Sequence, residues 1–272
     1  MPPTMTDSPA PTSPFADIRA LIAQAPGHAP TAHPAPADLG EVAAAADWIA
    51  AWRGKARVVR PILALYAGAH AGGDIAEIRA FMEAVAAGEA EISRGAQSLG
   101  AGLDVFDLAL DRPLPDPAAG PVMSERECAA TMAFGMEVLA KQPDLLILVG
   151  VGPGSETAAD GLIDALKTSA DPLESLRQFG GRETAAIAGA ILGARSQTIP
   201  VLLDGAPARA AFEVIRAIDP TAVAHCRLAG RSANAGYRIG AVGEGSITRS
   251  DGTAALVALS LVKLACAMLE AA

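Results

Sequence analysis

The sequence predicts an α/β protein of three layers, a mainly parallel sheet with helices on both faces. Three observations carry that expectation. From residue 38 onward short apolar runs alternate with longer helical patterns, the order that strand-helix-strand units require. Most of the runs are continuously apolar rather than alternating, as strands covered on both faces must be. A glycine-rich turn, Gly150-Val151-Gly152-Pro153-Gly154, joins one of these runs to a helical pattern.

The elements follow in order. Met1 to Pro36 reads as a tail, because nine of the 20 prolines fall in the first forty residues and no basic stretch precedes an apolar one as a signal peptide would require. Within it, Phe15 to Ala25 has Ile18, Leu21 and Ile22 at helical spacing and is expected to dock on the rest. Residues 37–272 are expected to form one domain, with strands at Val58 to Tyr66, Leu103 to Leu108, Leu145 to Val149, Ile199 to Leu203 and Thr221 to Leu228. Helices are expected at 38–53, 75–99, 124–141, 156–167, 182–195, 206–218 and 252–271. Ser124 followed by Glu127 reads as a capping box, each side chain meeting the other's free backbone N–H. The most apolar long segment, Asp251 to Ala272, contains Lys263 and Glu270 and reads as a buried helix rather than a membrane span.

Composition narrows the function. The 272 residues are 51% hydrophobic and 19% charged, enough for one sizeable core. With 21 basic and 30 acidic residues the formal charge is −9, so no basic footprint exists for nucleic acid or an anionic membrane surface. Aromatic residues make up 4%, which leaves little material for stacking bases. Cys128, Cys226 and Cys266 lack metal-ligand spacing and read as reduced thiols of a cytoplasmic protein.

In open α/β sheets ligands bind beyond the carboxyl ends of the strands, so residues just after each strand are the candidates. Gly150 to Thr157 suits a phosphate through glycine backbone and a helix start. It reads equally as a plain strand-to-helix turn capped by Ser155, and Glu156 favours that second reading. His70, in Tyr66 to Asp74, is a loop histidine, solvated or part of a site. Asp204, between a strand and Gly205, is a functional acid or the cap of the following helix. Asp251 and Thr253 open the last helix, as caps or as part of a site. Neither a G-x-S-x-G elbow nor a patterned cysteine and histidine appears, and the four histidines form no metal motif.

Four segments together resemble the nicotinate-nucleotide:dimethylbenzimidazole phosphoribosyltransferase family: VFDLALDRP (105–113), SERECAATMAFGMEVL (124–139), DPLESLRQFGGRETAAIAGAILGAR (171–195) and PVLLDG (200–205). The resemblance runs from about Asp38 to the end. It implies a Rossmann-like parallel sheet, with extra helices from the N- and C-terminal regions building a second layer, and a homodimer. It also implies phosphoribosyl transfer from nicotinate mononucleotide to a benzimidazole base, with no metal and no cofactor. The family's base comes from a G-E-G-T motif opening the last helix. Its phosphate seat comes from a G-E-M-G-I-G-N-T-T loop.

Aligned on these motifs, Ser250-Asp251-Gly252-Thr253 takes the place of G-E-G-T, so Asp251 is the candidate base with a carboxylate one methylene shorter. Gly243-Glu244-Gly245-Ser246 looks superficially closer but shifts the helix match by several residues. Gly152, Gly154, Ser155 and Thr157 fall on the phosphate loop, where the family's glutamate becomes Gly150 and a threonine becomes Glu156. His70, Asp204 and Ser232 are the remaining pocket candidates. A family segment carrying a lysine, between the phosphate loop and the D-P-L helix, is largely missing. The altered motifs leave one alternative: a catalytically impaired paralogue that binds a nucleotide, a base or a protein partner on the same scaffold.

Overall fold

Six strands form one parallel sheet in the order β2-β1-β3-β4-β5-β6. They are β1 (Pro61–Ala67), β2 (Gly102–Asp107), β3 (Leu145–Val151), β4 (Val201–Asp204), β5 (Cys226–Ala229) and β6 (Arg238–Ile239). The structure, a computed structural model, describes residues 13–24, 37–229, 238–239 and 250–269. Ten helices accompany the sheet among these residues: α1 (Pro14–Gln24), α2 (Glu41–Arg53), α3 (Ile75–Ala86), α4 (Glu91–Ser98), α5 (Glu125–Gly135), α6 (Ser155–Leu166), α7 (Pro172–Phe179), α8 (Arg182–Ser196), α9 (Ala206–Ile218) and α10 (Thr253–Leu269).

Continuous apolarity in the strands becomes two cores, because successive side chains point to opposite faces. From β1, Ile62, Ala64 and Tyr66 enter one core while Leu63, Leu65 and Ala67 enter the other. The first core is closed by α1, α5, α6, α7, α8 and α9, through residues such as Ile18, Met132, Leu162, Leu176, Ile187 and Phe212. The second is closed by α2, α3, α4 and α10, through Trp48, Ile78, Ile92 and Leu259. This is the expected three-layer arrangement, with the helices from both ends of the chain, α2 and α10, completing the second face. The crossover from β1 to β2 runs over the second face and those from β2 to β5 over the first, as right-handed connections in opposite directions demand.

Several elements differ from expectation for local reasons. The helix expected over 75–99 is two, since Gly88 at φ 78° breaks it between α3 and α4. The helix expected over 124–141 ends at Gly135 and tightens into a 3₁₀ turn over Met136–Lys141. Half of the expected capping box forms: Ser124 Oγ accepts the Glu127 N–H at 3.1 Å, while the Glu127 carboxylate turns to Arg182 at 2.7 Å. The strand expected from Thr221 starts at Cys226, because Asp219 accepts the Thr221 N–H at 2.8 Å and winds Pro220–Val223 into a 3₁₀ turn. Periodicity does not predict helix α7, although Asp171 caps it by accepting the Leu173 N–H and Pro172 occupies its first position.

Helix α1 docks as expected, burying Phe15, Ile18 and Ile22. His225 is fully buried, and its Nε2–H donates to the Ile191 carbonyl at 3.1 Å; burial pushes its pKa down to about 3, so it is a neutral core residue. All three cysteines are buried and outside any disulfide, and burial pushes Cys128 up to about 12. Among the described residues no helix is long and apolar enough to cross a membrane.

Helix α8 is buried along nearly its whole length and is rich in alanine and glycine. Its backbone lies directly against α5. A Cβ on Gly189 would overlap the Met132 carbonyl, and one on Gly135 would overlap Ala186. Backbone cannot retreat as a side chain can, so Gly189→Ala is expected to destabilise the protein by about 1–3 kcal/mol despite the better helix propensity of alanine. Urea unfolding measures it; an unchanged midpoint would show that α5 and α8 separate freely.

Candidate active site at the β1/β3 switch point

The chain leaves β1 toward the second face and β3 toward the first, so a crevice opens between their carboxyl ends. Beyond the strands the two loops stay joined. Gly68 N–H donates to Val151 O at 2.9 Å, and His70 N–H donates to Pro153 O at 3.2 Å. Backbones this close leave no room for side chains: a Cβ on Gly152 would overlap the Gly68 carbonyl, and one on Gly154 would come within 2.8 Å of His70 Cβ. Gly152 and Gly154 also adopt φ values of 139° and 81°, open to glycine at little cost.

The crevice holds a cleft of about 580 Å³. It is lined by the turn Gly150–Thr157 that starts α6, by Asp74, Glu77, Ile78 and Phe81 from the N-cap and N-terminal part of α3, and by Ser250 and Asp251 from the approach to α10. Gly152, Gly154, Ser155 and Thr157 therefore line one cleft together with Asp251. Gly154, not Ser155, is the N-cap of α6; Ser155 is its first residue, buried, its hydroxyl without a hydrogen-bond partner among the described residues. Glu156 accepts a hydrogen bond from Ser250 Oγ at 2.7 Å, which ties the turn to the segment bearing Asp251. The described lining carries the acids Asp74, Glu77, Glu156 and Asp251 and no lysine or arginine. Among the described residues no group of three or more His, Cys, Asp or Glu side chains stands so as to hold a metal ion.

Two carboxylates build the start of α10. Asp251 Oδ1 accepts the Thr253 N–H at 3.0 Å and the Thr253 hydroxyl at 2.6 Å, so the capping geometry and a place on the cleft coincide in one residue. Asp204, at the end of β4, does not cap the helix that follows it. It is buried under α10, where Oδ2 accepts the Ala255 N–H at 3.0 Å. Burial pushes the Asp204 carboxyl up to about 6, reinforced by the charge of Asp251 and opposed by the N–H groups of Ala255, Gly205 and Ala254.

His70 lies behind the turn rather than on the cleft lining. Its Nε2 is 3.0 Å from Oε1 of Glu183, a fully buried residue in the first turn of α8. Burial works against the imidazolium, but the Glu183 hydrogen bond and charge outweigh it and the pKa is raised above 6.5. Ser232 lies outside the described residues. Glu183 escaped the sequence reading because an acid in a first helical turn needs no explanation beyond the helix dipole. The signal available was the pair Gly180-Gly181 just before it.

The phosphoribosyltransferase family DBI_PRT matches residues 19–168 and 162–272. The nicotinate-nucleotide–dimethylbenzimidazole phosphoribosyltransferase of Rhizobium rhizogenes is 37% identical over an alignment covering 93% of each chain. This chain belongs to that family. A relative of the same name from Rhizobium etli is 38% identical over 93% of this chain and 90% of its own. The fold agrees with a crystal structure of the family's namesake enzyme from Thermus thermophilus, at a TM-score of 0.74 and 22% identity, covering 95% of this chain and 96% of that one. The alignment to the R. rhizogenes family member runs over 316 residues against 272 in this chain, so the relative carries residues with no counterpart here. The family model matches in two parts that meet at residues 162–168, around the end of α6.

Asp204 provides a pH test of this site. Its folded-state pKa of about 6 exceeds the ordinary 3.8, so the native state holds the proton more tightly. That contribution favours folding at low pH and is lost as pH rises between these two values, a change of up to about 3 kcal/mol. Asp204→Asn carries no such charge and is expected to gain stability relative to wild type between pH 4 and 7. A difference that stays constant across that range, measured by chemical denaturation, would contradict the assignment.

Proposed function

We propose that this chain transfers phosphoribose from nicotinate mononucleotide to 5,6-dimethylbenzimidazole or a related base, releasing nicotinate and forming an α-ribazole phosphate. The observation that carries the reading is the meeting, in one cleft at the β1/β3 ends, of the glycine turn at the start of α6 and a carboxylate at the start of α10. Membership of the family supplies the substrates, as the names of its curated relatives state them.

The chemistry follows from the parts. The 5′-phosphate sits at the α6 start, where the first N–H groups of a helix lack intrahelical partners and the dipole favours an anion. Anchored there, the sugar is held so that the incoming ring nitrogen and the departing nicotinate lie on opposite sides of its anomeric carbon. The bond to nicotinate breaks with its electron pair going to the nicotinate ring nitrogen, and the benzimidazole nitrogen forms the new bond to carbon. Asp251 takes the proton that the benzimidazole N–H releases. Asp204 fixes the first turn of α10 from below and so sets where Asp251 stands. A homodimer and a cytoplasmic location belong to the same reading, and light scattering checks the first.

The assay is release of nicotinate from the mononucleotide in the presence of dimethylbenzimidazole, with an active relative as control. Turnover is expected; none above background would leave a scaffold without this activity. Asp251→Asn is expected to lower kcat by about a hundredfold or more, the scale of a positioned base. An unaffected rate would remove Asp251 from the mechanism. Glu156→Gln, by removing a like charge beside the phosphate, is expected to lower KM for the mononucleotide several-fold with little change in kcat; a raised KM would place Glu156 among the binding groups instead.

A further inference from the structure

An ionisable pair that the cleft lining does not include stands behind the glycine turn. Glu183 is fully buried, reaches His70 Nε2 with Oε1 at 3.0 Å, and has Oε2 without a hydrogen-bond partner among the described residues. Its carboxylate fits only because positions 68 and 181 are glycine: a Cβ on either would overlap the carboxylate oxygens. A charge buried this deeply is costly unless an opposite charge faces it, and His70 is the group within reach that can carry one. His70 is in turn fastened to the turn by its N–H to Pro153 O, and it lies so near Gly154 that a Cβ added there would come within 2.8 Å of His70 Cβ. At the next residue the buried Ser155 hydroxyl has no partner among the described residues, as expected of a group that awaits a ligand or a water. Glu183, His70, Gly154 and the start of α6 thus form one continuous line of contact.

We propose that Glu183 and His70 are a positioning pair: Glu183 holds the His70 imidazolium against the Gly152–Gly154 turn, and that cation sets how tightly the turn grips the phosphate of a ribose 5-phosphate group. The ligand class rests on the transferase reading. Neither residue lines the cleft, so the pair acts through the turn and is not catalytic. The need for it is electrostatic. Asp74, Glu77, Glu156 and Asp251 face the cleft and repel a phosphate dianion, whereas a unit charge behind the turn attracts it across a poorly screened path. The charged groups acting on His70 are Glu183 and Arg182, both from the start of α8, the second opposing the imidazolium. The turn from β3 and the segment at Leu114, which bridges His70, present backbone and apolar groups.

The test is calorimetric titration of the full chain with ribose 5-phosphate, and with ribose as the phosphate-free control, between pH 7 and about 9, where the phosphate stays a dianion and only the protein's charge changes. Wild-type affinity for ribose 5-phosphate is expected to fall about tenfold as pH rises through the His70 pKa, while ribose binding stays level. His70→Asn is expected to bind ribose 5-phosphate about tenfold more weakly at pH 7 and without that pH dependence. Glu183→Gln, nearly isosteric, is expected to move the loss of affinity to lower pH. Circular dichroism establishes that each variant is folded, and two variants keep the test open if one is not. Wild-type affinity that does not change with pH, or His70→Asn binding as tightly as wild type at pH 7, would overturn the proposal. The transferase reading fails separately: affinity that depends on His70 without release of nicotinate keeps the pair and sinks the reaction, whereas transfer with an unaltered mononucleotide KM in His70→Asn does the reverse.

Discussion

The site depends on how closely the backbones of β1 and β3 continue to run after the strands end. The ladder between them does not stop at Ala67 and Val151; it extends through Gly68 to Val151 and through His70 to Pro153. At that spacing side chains have nowhere to go, so Gly68, Gly152 and Gly154 are required by the packing of two loops on each other and on Glu183, and Gly150 by Pro207 at the start of α9. The same closeness aims the start of α6 into the crevice and holds His70 behind it. A glycine-rich turn is usually read as room for a ligand; here much of the glycine requirement comes from the protein's own backbone.

The second constraint couples the far end of the chain to the sheet. The approach to α10 carries the carboxylate that faces the cleft, and the helix's first turn is held from beneath by Asp204 at the end of β4. Burying an acid there costs enough to raise its pKa to about 6, and the N–H groups it accepts recover only part of that cost. The arrangement exchanges stability for a fixed relation between strand end and helix start. On the opposite face α8 has a comparable role, bringing Glu183 behind the glycine turn. It can do so only because glycines at 135 and 189 let it lie against α5.

Most of the architecture was legible in the residues themselves. Continuous apolar runs mark strands buried on both faces, and β1, β3 and β4 lie within a few residues of where those runs end. Errors fell where local chemistry competes with periodicity: Gly88 dividing one expected helix, Asp219 winding a turn where a strand was expected, Asp171 and Pro172 starting a helix too short for its spacing to stand out. The resemblance segments led to the right family because they are core-forming stretches, which packing keeps recognisable. The site was harder to read, since its residues come from four separate connections and an acid near a helix start looks the same whether it caps, buttresses or reacts.

Strand and helix types, the parallel layering and the glycine turn follow from side-chain pattern, because burial on two faces and turn geometry constrain neighbours along the chain; Asp251 and His70 became candidate partners of that turn only through the family resemblance. Which carboxylates share a helix start, that Asp204 caps α10 rather than α9, and that a buried Glu183 stands behind His70 emerged solely on folding. Those relations join residues between about fifty and more than a hundred positions apart. Linear order does not record such distances; the packing of α8 and α10 against the sheet does.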